Sequence, residues 1–319
     1  MEAILQVAGG LILLLLGAEI LVRGAASLAI RMRISPATVG LTVVAIGTSL
    51  PELLISIRDR LDGTGAIAVG GVVGSNIFNI GAILGLAALI RPVTIPSRTL
   101  RAEYPFMLGA TLVYGLVAAD GRMTPLDGGL LLGLCLGFVL FLYLRVHRRR
   151  APRLTEEAAQ ATAELEPVLR PLVVDLLYLV GGIVALHQGA RIALIGGRGL
   201  AEAWGISQHM IGLTLVAFGT SAPELAVSTL AAYRGKSEIA VGNIVGSCIF
   251  NLALVLPVAS FFGPFDLPER AAGQDFRWLL GISALMLPLM LRGRSLGRLD
   301  GAVLVAAFAL YYGLLLAGR

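Results

Sequence analysis

The sequence predicts an all-α polytopic membrane protein of ten transmembrane helices, arranged as two inverted five-helix repeats. Three observations predict it. Apolar residues fill 57% of the 319 positions and charged ones 14%, with a mean hydropathy of +0.86, which excludes an ordinary soluble enzyme. Apolar runs near the roughly 20 residues that cross a bilayer recur along the whole chain. The two halves also match: at an offset of 172, residues 39–92 laid along 211–264 give 26 identities in 54 positions.

The first run, 3–22, starts near the N-terminus without a basic stretch before it and reads as a span rather than a removable signal. Runs at 37–57, 66–90, 102–119 and 126–144 complete one set, and 171–190, 209–233, 238–262, 276–291 and 299–317 form the other, the ninth being short. Beyond the best-matching core, Gly9, Gly10, Gly17, Ala18 and Gly24 still match Gly181, Gly182, Gly189, Ala190 and Gly196. The chain therefore divides into a repeat at 1–147, a linker at 148–170 and a repeat at 171–319. Five spans is an odd number, so the second repeat enters the membrane from the opposite side. Inverted repeats of this kind place substrate sites near the midplane, on interrupted helices.

Orientation follows from the cations. If the N-terminus is outside, the loops 23–36, 91–101, 145–170, 234–237 and 292–298 face the cytoplasm and hold 17 of the 25 Lys and Arg residues, as the positive-inside bias requires. The run Arg145, Arg148, Arg149, Arg150 and Arg153 contributes most. Lys236 is the sole lysine, and the arginines sit at the ends of apolar runs, so the net charge of +5 points to the lipid bilayer as partner and not to nucleic acid. The linker is Ala- and Glu-rich, too short for a folded regulatory domain and without EF-hand spacing; no obligate protein partner is evident. Cys135 and Cys248 lie in apolar runs and read as packing residues rather than a disulfide or a metal pair.

Chemistry concentrates where the apolar pattern breaks. Residues 45–52 read AIGTSLPE and 217–224 read AFGTSAPE, placing Glu52 and Glu224 inside hydrocarbon-like runs. An unpaired charge there costs roughly 2.5–3.5 kcal/mol or more, so the default reading is an ion or proton pathway. Pro51 cannot donate to the carbonyl of Gly47 and its ring crowds that carbonyl, so the helix breaks and frees oxygens. Thr48 and Ser49 lie four and three residues before Glu52, on its face as far as helical geometry persists, and Thr220 and Ser221 repeat the spacing. Carboxylate, hydroxyl and carbonyl oxygens together suit hard cations such as calcium.

A second pair of motifs, GSNIFN ending at Asn79 and GSCIFN ending at Asn251, puts Ser75 with Asn79 and Ser247 with Asn251 on one helical face each. Small residues at such spacing are ordinary packing devices between membrane helices. The Asn amides shift the balance, since each offers one oxygen to a cation and two donors to a carboxylate.

The paired GTSLPE and GTSAPE segments, each followed at a fixed distance by GSNIFN or GSCIFN, resemble the two alpha-repeats of the calcium/cation antiporter superfamily, specifically the prokaryotic type of its sodium/calcium exchanger branch. The resemblance implies exchange of cytoplasmic Ca²⁺ for external Na⁺ by alternating access, in a prokaryotic inner or plasma membrane, with sites among the second, third, seventh and eighth spans and with the first and sixth spans sliding over that core. It assigns ion contacts to Glu52, Glu224, Thr48, Ser49, Thr220, Ser221, Ser75, Ser247, Asn79 and Asn251, and to carbonyls near Ala45 and Ala217. Ca²⁺ and Na⁺ are substrates; no cofactor is implied. Microbial members can carry Asp at one of the last positions, whereas Asn stands at both Asn79 and Asn251 here, leaving two carboxylates to match one divalent ion. Gly71 is a smaller departure, since its counterpart is Asn243.

Proton-coupled calcium exchange and potassium-dependent sodium/calcium exchange are the neighbouring alternatives, separated by counter-ion dependence. A channel needs a continuous pore, which two inverted broken helices do not suggest. An intramembrane enzyme lacks support, because no Ser/His pair or metal cluster accompanies the glutamates, and His147, His187 and His209 fall at expected span ends.

Overall fold

The apolar runs fold as helices, some enclosed by the others and some at the periphery. The computed structural model describes residues 1–63, 65–148, 171–205 and 217–317. In chain order the helices are α1 (Glu2–Met32), α2 (Pro36–Leu61), α3 (Ile67–Ile90), α4 (Thr99–Asp120), α5 (Pro125–Arg148), α6 (Leu172–Ala203), α7 (Ala222–Tyr233, preceded by a turn at Ala217–Thr220), α8 (Ser237–Ser260), α9 (Phe276–Leu291) and α10 (Arg298–Leu316). Among the described residues eight are long and apolar enough to cross a membrane. The linker beyond Arg148, the start of the seventh run and His209 lie outside the described residues.

Burial separates a core from a periphery. In α8, 94% of the apolar stretch is buried, and in α3 78%, against 28% in α1 and α6. Single turns of π-helix interrupt the core helices at Asn79–Ile83 and Asn251–Val255, and recur at Thr99–Glu103 and Ala271–Asp275. Each pair sits 172 positions apart, and such insertions collect at functional sites. Two antiparallel two-residue ladders, Val93–Thr94 with Ser295–Leu296 and Arg122–Met123 with Phe265–Asp266, tie the halves together.

The first and sixth runs extend further than their hydropathy suggests. The stretch 23–36, expected as a loop, is helical to Met32, and the second copy continues to Ala203. At about 1.5 Å per residue, both exceed the roughly 30 Å hydrocarbon thickness by half. The added turns are charged, and most of their charges are paired: Arg23 meets Glu19 at 2.6 Å, Arg198 meets Glu202 at 2.9 Å, and Arg31 reaches the buried Asp175 at 3.0 Å. The chain leaves α1 at Arg33, whose φ of 54° is left-handed.

α1 and α6 run antiparallel along a glycine seam. Gly10, Gly17 and Gly24 recur every seven residues, as do Gly182, Gly189 and Gly196, keeping them on one side of each helix. A Cβ on Gly17 would stand 2.8 Å from Leu186 N, and one on Gly189 2.7 Å from Leu14 N. Backbones this close need small residues. Gly9 and Gly181 face nothing within 4 Å. Gly17→Val is therefore expected to force α1 from α6 and destabilise the protein by about 1–3 kcal/mol, whereas Gly9→Val leaves the melting temperature of the purified protein unchanged; equal melting of the two variants would contradict the seam.

Candidate functional site

α2 is broken at Ser49 (φ −85°, ψ 8°), and the same break recurs at Ser221 (φ −93°, ψ 9°), with Pro51 and Pro223 in the first turn of the helix that follows. Proline is tolerated there because the missing N–H is one that a first turn leaves unused. Glu52 and Glu224 occupy those first turns, where unpaired N–H groups and the helix dipole favour negative charge. Both side chains are buried, Glu224 completely.

The two broken segments meet side chain to side chain. Ser49 Oγ donates to Glu224 Oε1 at 3.2 Å, and Ser221 Oγ lies 3.2 Å from Glu52 Oε1. Ser75 Oγ approaches the same Glu52 oxygen at 3.4 Å and Ser221 Oγ at 3.1 Å. Thr48 Oγ1 lies 3.2 Å from Asn243 Oδ1 and 3.3 Å from the Ala45 carbonyl, which also accepts from Ser49 N at 3.0 Å. Ser247 sits beside Glu224 without hydrogen-bond geometry. Thr220 is half-buried one residue before the second break, and Ala217 opens the short turn leading to it. Asn79 and Asn251 open the π turns of α3 and α8.

What these atoms lack defines the site. Glu52 Oε2, Glu224 Oε2, Asn79 Oδ1 and Nδ2, Asn251 Oδ1 and Ser247 Oγ are buried with no hydrogen-bond partner. Among the described residues no Arg, Lys or His pairs with either glutamate, although the two are near enough for the charge of Glu224 to act on Glu52. Two buried like charges without a counter-charge are strongly unfavourable. A hard cation among these oxygens would offset that cost. Among the described residues no three His, Cys, Asp or Glu side chains gather, so any cation here leans on hydroxyl and amide oxygens as well as on two carboxylates.

Three polar residues of this centre were not singled out as ligands from the sequence. Asn76 Nδ2 donates to the Cys248 carbonyl at 3.0 Å, and Asn76 Oδ1 accepts from Asn251 Nδ2 at 3.0 Å. Asn243 Nδ2 donates to Ser228 Oγ at 3.0 Å. The mismatch of Asn243 with Gly71 was the visible signal; nothing marked Asn76 or Ser228. Both cysteines are free and buried, as packing residues should be. His187, expected at a span end, instead sits midway along α6 with Nδ1 2.7 Å from the Ile183 carbonyl; the helix extends well past the hydrophobic run that suggested its end.

Sequence and structure comparisons point one way. The family described as sodium/calcium exchanger protein matches residues 2–144 and 174–317. Inner membrane protein YrbG of Escherichia coli is 37% identical over 310 residues, covering 96% of this chain and 94% of the relative. Sodium/calcium exchanger MaX1 of Methanosarcina acetivorans is 30% identical, covering 95% of each. The solved structure of the sodium/calcium exchanger from Methanococcus jannaschii superposes with a TM-score of 0.80 at 31% identity, covering 98% of each chain.

Asn76→Leu is expected to strip the Cys248 carbonyl and the Asn251 amide of their partners, costing about 1–3 kcal/mol for each buried group left unpaired. A melting temperature equal to that of the unaltered protein would show that these bonds carry no stability.

Proposed function

This chain belongs to the sodium/calcium exchanger protein family, and from that premise we propose that it exchanges Ca²⁺ for Na⁺ across a prokaryotic inner or plasma membrane by alternating access, exporting Ca²⁺ as Na⁺ enters. The observation that carries the proposal is the pair of buried glutamates with no cationic partner among the described residues, each with one oxygen that makes no hydrogen bond, and with the unbonded oxygens of Asn79, Asn251 and Ser247 beside them in the same centre. One Ca²⁺ balances two carboxylates; Na⁺ ions entering the same oxygens compete with it, and competition for one set of ligands couples the two fluxes. The ligands are Glu52, Glu224, Thr48, Ser49, Thr220, Ser221, Ser75, Ser247, Asn79 and Asn251, with carbonyls near Ala45 and Ala217.

The proposed architecture is ten spans in two inverted repeats, 1–147 and 171–319, joined by a cytoplasmic linker at 148–170, with the N-terminus outside. Reciprocal contacts support it. Ser49 reaches Glu224 while Ser221, 172 positions on, reaches Glu52. Asn76 donates to the Cys248 carbonyl while Cys248 Sγ, its counterpart, lies 4.0 Å from the Asn76 carbonyl. Mutual exchange of this kind is what a twofold axis produces. The glycine seam obeys the same rule within α1 and α6, since Gly17 meets Leu186 N as Gly189 meets Leu14 N. A seam that tight moves as one body, and sliding of α1 with α6 over the core is the proposed switch between sides.

Glu52→Gln and Glu224→Gln are each expected to abolish Ca²⁺ exchange in a protein that still purifies folded, because one carboxylate cannot neutralise a dehydrated divalent ion. Calcium uptake into Na⁺-loaded proteoliposomes, with valinomycin and K⁺ setting the voltage, tests the coupling. Neither Asn79 nor Asn251 can supply a compensating charge, so uptake should depend on Na⁺ and on voltage, each net charge moved being worth roughly 2.3 kcal/mol per 100 mV. Uptake driven equally by a pH gradient without Na⁺ would assign the protein to proton coupling, and an added requirement for K⁺ to the potassium-dependent kind.

A further inference from the structure

Positions 172 apart in this chain mostly repeat the same chemistry, but three exchange sign, Asp120 with Arg292 and two that bear on how α1 and α6 meet the core. Glu19 on α1 corresponds to Arg191 on α6, and Asp62, closing α2, corresponds to Arg234, closing α7. One of the two possible pairs is made. Arg234 brings Nη2 to 3.0 Å and Nε to 3.1 Å from Glu19 Oε2, while Arg23 holds Glu19 Oε1 at 2.6 Å. The corresponding pair is apart: Asp62 is held at 2.9 Å by Arg58 of its own helix, and Arg191 is exposed.

The reason lies in how α1 and α6 sit against the core. Each body is symmetric within itself, by the reciprocal contacts given above. Between them the symmetry fails. Gly47 has Ile183 as its nearest neighbour and its counterpart Gly219 has Leu194, both on α6, whereas a shared axis would set Gly219 against Leu11 of α1. The α1–α6 body is therefore displaced to one side of the core. In the mirrored displacement Arg191 takes the place of Glu19, and Asp62 that of Arg234. Exchange of sign at only one of the two positions would set like charges together there; exchange at both keeps the attraction.

We propose that Glu19–Arg234 and Asp62–Arg191 are alternating ion-pair latches, one closing as the other opens, that hold the α1–α6 body at the two ends of its travel. The four side chains are positioning residues: none reaches the buried glutamates, and each acts by weighting one arrangement of the body against the other. The proposal rests on the sliding mechanism above. Partly exposed pairs are weak, which suits a latch that must open in every cycle.

The test uses the full-length protein in proteoliposomes. Arg234→Glu is expected to weaken the arrangement seen here and Asp62→Arg its mirror image, so the two should shift the Ca²⁺ half-saturation measured from one side in opposite directions, by up to about fivefold. The charge-swapped double variant Glu19→Arg with Arg234→Glu should restore it, a rescue that a purely structural role does not give. In parallel, a bifunctional thiol reagent is applied to Asp62→Cys with Arg191→Cys and, as a report on sliding alone, to Leu11→Cys with Gly219→Cys. Both pairs are expected to cross-link when the ion gradient is reversed. Cross-linking of 11 with 219 but not of 62 with 191, or charge reversals that leave the half-saturation unmoved, overturns the latch and leaves the sliding intact. Exchange that proceeds with neither pair ever cross-linking overturns the sliding and the latch with it.

Discussion

Two neighbouring buried carboxylates with no counter-charge among the described residues form an arrangement that folding alone would not favour. In low dielectric their desolvation and mutual repulsion amount to several kcal/mol. The surrounding structure answers in part. Each glutamate stands in the first turn of a helix, where unpaired N–H groups point at negative charge, and each takes a hydroxyl from the other half of the chain. One oxygen of each is still left bare. The breaks at Ser49 and Ser221, the prolines that follow them and the enclosure by α3 and α8 hold that unfinished pair in place, as the proposed ion site requires.

The proposed exchange calls for a rigid centre that holds the charges and for a second body that moves past it, and the packing divides into two such bodies. In the core, amide and hydroxyl groups from both halves interlock, as Asn76 does with Cys248 and Asn251. In the α1–α6 body the backbones touch directly along glycines, and the Arg31–Asp175 pair adds a buried clamp at one end. Tight contact within each body and less enclosed packing of α1 and α6 on the core suit the proposed sliding.

The helical, membrane-type fold was legible because hydropathy in a membrane is a one-variable problem, and among the described residues eight of the expected spans are helices long and apolar enough to cross. The glutamates were legible because a charge in an apolar run contradicts its surroundings. Legibility failed where partners are remote. The charges that end a hydrophobic run in α1 are paired along the helix or to Asp175, so the helix continues where composition says it should stop. Asn76 sits next to the predicted ligand Ser75 with nothing in the sequence to mark its own role, because its partners lie on α8. The π turns leave no local signature apart from their repetition at the same offset, which only the structure reveals.

The differences between the halves matter as much as the likeness. Asn243 aligns the Thr48 hydroxyl and is itself tied to Ser228, but Gly71 offers no amide to Thr220. Asn251 has its amide nitrogen fixed by Asn76, leaving only its oxygen open, whereas both amide atoms of Asn79 are open. One set of oxygens is thus oriented by hydrogen bonds and the other is not. Preorganised ligands favour the ion whose size and charge they fit, while ligands free to rotate accommodate ions that differ in number and charge. The differences at Asn243 and Asn76 thus leave the two halves of the centre unequally constrained, which suits the proposed binding of two unlike ions at one set of ligands.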